Sequence, residues 1–240
     1  MMMTATTDAT AEKTVRELAL EIPQAARIFE SLGIDYCCGG AKPLGEACQA
    51  VGVPASQVLA MLEEARQKNE PSPDRDWQTA RLTELITHIV STHHAYLQQE
   101  LPRIGNLFTK VCAAHAARHG ELREMQSVFA ALADELRAHL MKEEQILFPY
   151  LVQQERGESP HACFGSVQGP IRMMMFEHDS AGEALRRLRT LSSNYALPAD
   201  ACLSYGKLYE ALRGLEADLH RHIHLENNIL FPRAIATEQA

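Results

Sequence analysis

No stretch of the 240 residues approaches the roughly 20 consecutive apolar residues that span a bilayer. The opening residues, MMMTATTDATAEK, hold no apolar core of the secretory kind, so a cytoplasmic protein is expected. Basic residues are in the minority: 23 Lys and Arg stand against 31 Asp and Glu, giving a formal charge of −8. That balance argues against nucleic acid as a partner, which calls for a basic patch facing phosphates. Runs of alternating β-branched residues are also missing, and no strand is expected. The six cysteines, at 37, 38, 48, 112, 163 and 202, contain no Cys-x-x-Cys pair and no regular framework. In a reducing compartment they are expected to be free thiols.

What remains is an all-α pattern. With 46% apolar and 22% charged residues the composition is that of a globular domain. The polar run Asn69-Glu70-Pro71-Ser72-Pro73-Asp74-Arg75-Asp76 reads as a linker. It sets a small helical domain at 1–70, a connection at 71–76 and a larger domain at 77–240. In the first, Leu18 to Leu20 lead to Pro23, a first-turn residue for a helix through Ala26 to Leu32. Gly33 stops that helix, the loop from Ile34 to Gly40 follows, and Val58 to Ala65 form another helix. A segment of about 65 residues is marginal as an independent core, so it is expected to dock or to be mobile. The second domain carries four long helical patterns, at about 77–118, 121–154, 170–193 and 199–236, with Pro102 expected to kink the first. A loop from Arg156 to Gly169 holds Gly157, Pro160, Gly165 and Gly169. Four helices of this length predict a four-helix bundle.

The chemistry lies in an internal repeat. His139-Leu-Met-Lys-Glu143-Glu-Gln-Ile146-Leu147-Phe148-Pro149 matches His222-Ile-His-Leu-Glu226-Asn-Asn-Ile229-Leu230-Phe231-Pro232, offset by 83 residues. A candidate histidine precedes each copy, His94 in the first half and His178 in the second. Met125, Phe129, Leu132, Leu136, His139, Glu143 and Ile146 recur at steps of three and four. So do Leu212, Leu215, Leu219, His222, Glu226 and Ile229, and likewise Ile171, Met174, His178, Ala181, Leu185 and Leu188. The His and Glu therefore occupy the apolar seam, where an unpaired carboxylate costs several kcal/mol. A lone seam histidine is ordinarily a hydrogen-bonded core residue. Four of them with two carboxylates, in two copies of one pattern, point to metal, with a buried His–Glu ion-pair network as the alternative.

Six N and O ligands without thiolate exceed a tetrahedral zinc site and suit two iron or manganese ions bridged by Glu143 and Glu226. In the first helix His94 keeps step with Val90, Leu97, Leu101 and Ile104, whereas His93 fits Ile86, Ile89 and Tyr96 less completely. His94 is therefore taken as the ligand. His115 and His119 share a ligand-like spacing but sit near Gly120, where surface histidines facing a helix dipole are expected. His220 and His224, off the seam, read as surface or supporting groups; His88 and His161 carry no signal.

These residues resemble the iron–sulfur cluster repair di-iron proteins, bacterial members of the hemerythrin-like group. Leu18-Ala19-Leu20-Glu21-Ile22-Pro23 and Asp35-Tyr36-Cys37-Cys38-Gly39-Gly40 are similar to the family's small cysteine-bearing domain. His139 to Pro149, His222 to Ala234 and Glu177-His178-Asp179 resemble its ligand helices. The resemblance implies an antiparallel four-helix bundle with a small helical N-terminal domain. It also implies two non-haem iron ions, oxo- and carboxylate-bridged, on His94, His139, Glu143, His178, His222 and Glu226. Its implied activity belongs to nitrosative and oxidative stress: repair of damaged iron–sulfur proteins as clients or, alternatively, binding or reduction of nitric oxide. Reversible oxygen binding, as in hemerythrins proper, is disfavoured because the repeat is symmetric at two His and one Glu per half. Cys37 and Cys38 read either as a tight loop with one buried thiol or, within the resemblance, as a pair that passes iron or electrons. Cys48, Cys112, Cys163 and Cys202 receive no role.

Overall fold

The computed structural model describes residues 12–22, 24–68, 75–158 and 165–239. Pro23, linker residues 69–74, Pro160, His161 and Cys163, all named above, lie outside the described residues. The described chain is all-α, with no strand and a single isolated bridge between Thr14 and Pro43. It divides into two compact units, Met1–Ala80 with Ile223–Ile229, and Arg81–His222 with Leu230–Ala240.

The first unit holds α1 (Val15–Glu21), α2 (Ala25–Leu32), α3 (Leu44–Val51) and α4 (Ala55–Lys68). Thr14 and Glu17 close the start of α1 reciprocally: Glu17 N donates to Thr14 Oγ1 at 3.2 Å and Thr14 N donates to Glu17 Oε2 at 2.8 Å. Gly33 ends α2 in the left-handed region, at φ 71°, as its position predicts. Helix α3 was not foreseen. Val15, Leu18, Phe29, Tyr36, Leu44, Val58 and Leu62 are buried together as this unit's core.

The second unit is an antiparallel four-helix bundle built from α5 (Leu82–His88), α6 (Ala95–His115), α7 (Glu121–Lys142), α8 (Phe148–Glu155), α9 (Gln168–Leu191), α10 (Leu203–Leu225) and α11 (Phe231–Gln239). Three π-helical turns, Ile89–His94, Glu143–Leu147 and Glu226–Leu230, join α5 to α6, α7 to α8 and α10 to α11. Four continuous rods result, and α7 packs on both α6 and α9 while α8 packs on α5 and α11. Leu101, Ile104, Phe108, Phe129, Leu185, Leu212 and Leu215 belong to the core they share. Pro102 sits inside α6 without ending it. The departure from α geometry in this rod lies earlier, at Ile89–His94, and the helix starts at Leu82 rather than Trp77.

The second and third π-turns each precede a Phe-Pro pair, Phe148-Pro149 and Phe231-Pro232. Proline offers no N–H to the carbonyl four residues back and its ring presses on that carbonyl, so a wider turn relieves the clash. The extra residue per turn also rotates the helix. Ile146, expected on the seam, is 54% exposed, while Leu147 is buried in its place. In the other copy Ile229 stays buried, within the stretch that belongs to the first unit.

Two carboxylates fix where the first and third rods begin. Glu155, at the end of α8, accepts from Leu82 N at 2.5 Å, Thr83 N at 3.0 Å and Thr83 Oγ1 at 2.5 Å. Glu238, 83 residues later near the end of α11, accepts from Val167 N at 2.8 Å and Ser166 Oγ at 2.7 Å. Burial works to raise each carboxyl, but these hydrogen bonds outweigh it and hold both below the ordinary carboxylate value. A pKa lowered by folding means stability that is present above the unfolded value and lost as pH falls through the folded one. Glu155→Gln should therefore cost about 1 kcal/mol at pH 7, the scale of a helix cap. The gap between variant and wild type in thermal unfolding should close as pH falls through and below the ordinary carboxylate range, where the native carboxyl in turn protonates.

Candidate metal centre

Each of the six seam residues reaches the same buried place. His94, Glu143, His222 and Glu226 form one group; His139, Glu143, His178 and Glu226 form a second. Within each group one ligand atom per residue lies within 4.8 Å of all the others. None of the six is more than 3% exposed. Both carboxylates belong to both groups. Glu143 divides its two oxygens: Oε2 is 3.4 Å from His94 Nε2 and Oε1 is 3.3 Å from His139 Nε2.

The imidazoles meet in pairs, His94 Nε2 to His222 Nε2 at 3.2 Å and His139 Nε2 to His178 Nε2 at 3.1 Å. Their outer nitrogens fix the tautomers. His94 Nδ1 lies 2.8 Å from Glu144 Oε1, and His139 Nδ1 lies 2.8 Å from Glu177 Oε2. An ionised carboxylate only accepts, so Nδ1 carries the proton and the neutral ring turns its Nε2 lone pair inward. Imidazole nitrogens facing one another beside two carboxylates, in a buried core, form a donor set suited to cations. The residues present therefore fit a metal centre.

Further groups hold the rings in place. Phe148 stacks on His94 with centroids 5.7 Å apart, and Phe231 stacks on His178 at 6.0 Å, so the repeated Phe packs on a histidine in both halves. Glu177 also binds Lys142, and the two partners together overcome burial to hold its carboxyl below the ordinary value. Outside the inner six the halves diverge. The counterpart of Glu144 is Asn227, and the counterpart of Glu177 is His93. His93 is buried but not among the grouped donors; its Nδ1 lies 2.9 Å from Asp218 Oδ1 and its ring stacks on His222 at 5.5 Å. The supporting roles of Glu144, Glu177 and the His93–Asp218 pair have no signal in the sequence pattern because these residues lie off the apolar seam.

Of the two readings open for His224, surface or supporting, the surface one fails: the side chain is buried, its ring 5.2 Å from that of Tyr36, and burial brings its pKa down to about 4. Asn228 Nδ2 joins the two, 2.7 Å from His224 Nδ1 and 3.1 Å from the Tyr36 carbonyl. After Tyr36 the chain turns sharply. Asp35 Oδ1 accepts from the backbone N–H groups of Cys37 at 3.1 Å and Cys38 at 3.0 Å, and from Cys37 Sγ at 3.3 Å. A Cβ at Gly40 would fall 2.6 Å from the Tyr36 carbonyl, which is why glycine stands there. Cys37 is buried, Cys38 is half-buried, and their sulfurs lie 3.8 Å apart as two thiols. Hydrogen bonding with Cys38, then burial, push the Cys37 thiol up, so it stays protonated at neutral pH.

Removing the outer carboxylates tests whether they orient the ligands. Glu144→Gln and Glu177→Gln should each weaken metal binding about 10–100-fold in a chelator competition while helicity is retained. Unchanged affinity in both would show that the histidines hold their orientation without them.

Comparison with known proteins agrees with this geometry. Residues 85–234 match the hemerythrin HHE cation binding domain, and residues 11–66 match ScdA_N, a domain of unknown function. A protein of Enterobacter sp. named iron-sulfur cluster repair protein YtfE is 39% identical, covering 92% of this chain and 96% of its own length. Proteins of the same name from Citrobacter koseri and Escherichia coli O157:H7 are each 38% identical over the same shares. The chain belongs to the hemerythrin-like family, among the relatives named iron–sulfur cluster repair proteins.

Proposed function

We propose that this protein is a cytoplasmic di-iron protein that repairs damaged iron–sulfur clusters by supplying iron to them. The observation that carries the reading is the pair of four-donor groups sharing Glu143 and Glu226. Two imidazoles and two shared carboxylates per group, without thiolate, suit a pair of iron ions, with His94 and His222 on one and His139 and His178 on the other. When bound, the ion pair supplies ferrous iron, which a depleted cluster needs. Glu143 and Glu226, with Glu144 and with Glu177 partly neutralised by Lys142, would set net negative charge around the ions they hold.

The protein's own groups account for release. Each facing imidazole pair is 3.1–3.2 Å apart, a distance at which one added proton makes an N–H···N hydrogen bond. Proton uptake at the histidines thus competes with metal, and affinity should fall as pH falls. Asp35, Cys37 and Cys38 also form a close group of donors, and we assign them the transfer of iron towards the client. Their thiols must lose protons to do so, which metal binding itself promotes.

The test uses diferrous protein with an apo-ferredoxin under anaerobic conditions. Cluster recovery should exceed that given by the same concentration of free ferrous iron. Glu143→Leu should lose iron yet keep its helices, since leucine suits the seam. Cys37→Ser with Cys38→Ser should keep iron and lose recovery. Recovery no better than free iron would defeat the repair reading. Release of nitrous oxide on adding nitric oxide, without recovery, would transfer the function to nitric oxide removal.

A further inference from the structure

A separate cluster of donors lies at the other end of α6. His94 and His115 are 21 residues apart, about 30 Å along a helix, so this cluster is remote from the seam groups. His115 closes α6, His119 follows one turn later, and Asp200 precedes α10. One ligand atom from each of the three lies within 4.8 Å of the other two. The sequence reading gave both histidines to the surface. His115 is instead 5% exposed, and its Nδ1 is buried with no hydrogen-bond partner. The Tyr205 ring packs against both imidazoles, at 5.3 Å from His115 and 5.8 Å from His119.

We propose that His115, His119 and Asp200 form a second metal site, taking one divalent transition ion of the zinc class. Two imidazoles and one carboxylate are the three protein ligands of an open zinc site, with water as the fourth. Two nitrogen donors disfavour magnesium and calcium, which take oxygen. His119 Nε2 already stands 2.9 Å from Asp200 Oδ1, while its Nδ1 lies 3.4 Å from Glu121 Oε1. Glu121 is thus placed to hold the ring from behind, the arrangement by which a carboxylate orients a metal-bound histidine. His119, then Arg118, keep the Asp200 carboxyl below its ordinary value, so it is ionised and ready to bind. A cleft of about 490 Å³, lined by His119, Glu121, Ser192, Ser193, Tyr205 and Tyr209, reaches the His119 side of the cluster, and Asp200 is exposed on its own account. One group works against the cation: Arg118 Nε donates to Asp200 Oδ2 at 3.0 Å.

The experiment is equilibrium dialysis of the iron-loaded full chain against buffered zinc, with iron and zinc measured together. One zinc per chain should be retained with no loss of iron. His119→Ala and Asp200→Asn, both at partly or fully exposed positions, should each weaken zinc binding at least tenfold with helicity and iron content unchanged. Arg118→Ala should tighten it several-fold. Zinc should also raise the Tm of the wild type and not of the two ligand variants. Affinity within tenfold of wild type in both variants, or zinc retained only as iron is displaced, would overturn the proposal.

Discussion

Two pairs of imidazole nitrogens, each about 3 Å apart with carboxylate oxygens beside them, set the terms for the rest of this structure. Such an arrangement is unfavourable in an apolar core unless cations or protons sit among the donors. The surrounding structure holds the donors there. Phe148 and Phe231 cover two of the rings, Glu144 and Glu177 fix two tautomers, and the π-turns place both shared carboxylates. Outside this centre the first and third rods are tied at their starts by Glu155 and Glu238.

Helical periodicity made the inner six legible, because a donor that faces the bundle axis falls on the same steps as the leucines. It failed where the helix itself departs from 3.6 residues per turn. Ile146 counts as a seam residue at a constant period and points outwards once Glu143–Leu147 widens. The prolines at 149 and 232 were visible clues to that widening. Groups acting from behind the ligands had no such signature, since Glu144 and Glu177 look like the solvent-facing charges of any helix. Helix α3 is short: Leu44, Ala47, Cys48 and Val51 keep helical spacing, but over only eight residues and with Gly45 in the first turn the pattern competes poorly with a loop. The burial of His224 depends on Tyr36, nearly 190 residues away in sequence, which no local pattern discloses.

The internal repeat is deeper in some layers than in others. Ligands, stacked phenylalanines, prolines and helix-capping glutamates all recur at an offset of 83 or 84 residues. The layer behind the ligands does not. Carboxylates stand behind His94 and His139, whereas Asn227 occupies the position equivalent to Glu144, and the His93–Asp218 pair lies beside His222. The two donor groups are alike in composition and unlike in setting, so they would differ in affinity for a cation.

The grouping of Ile223–Ile229 with the N-terminal residues bears on how this protein could be taken apart. A bundle cut free at the polar linker would keep every one of the six donors in its sequence. It would lose Tyr36, on which His224 and Asn228 converge at either side of Glu226. The polar linker and the boundary between the two units thus run along different lines through the chain, and a bundle severed at the first would arrive without Tyr36, the partner that His224 and Asn228 share.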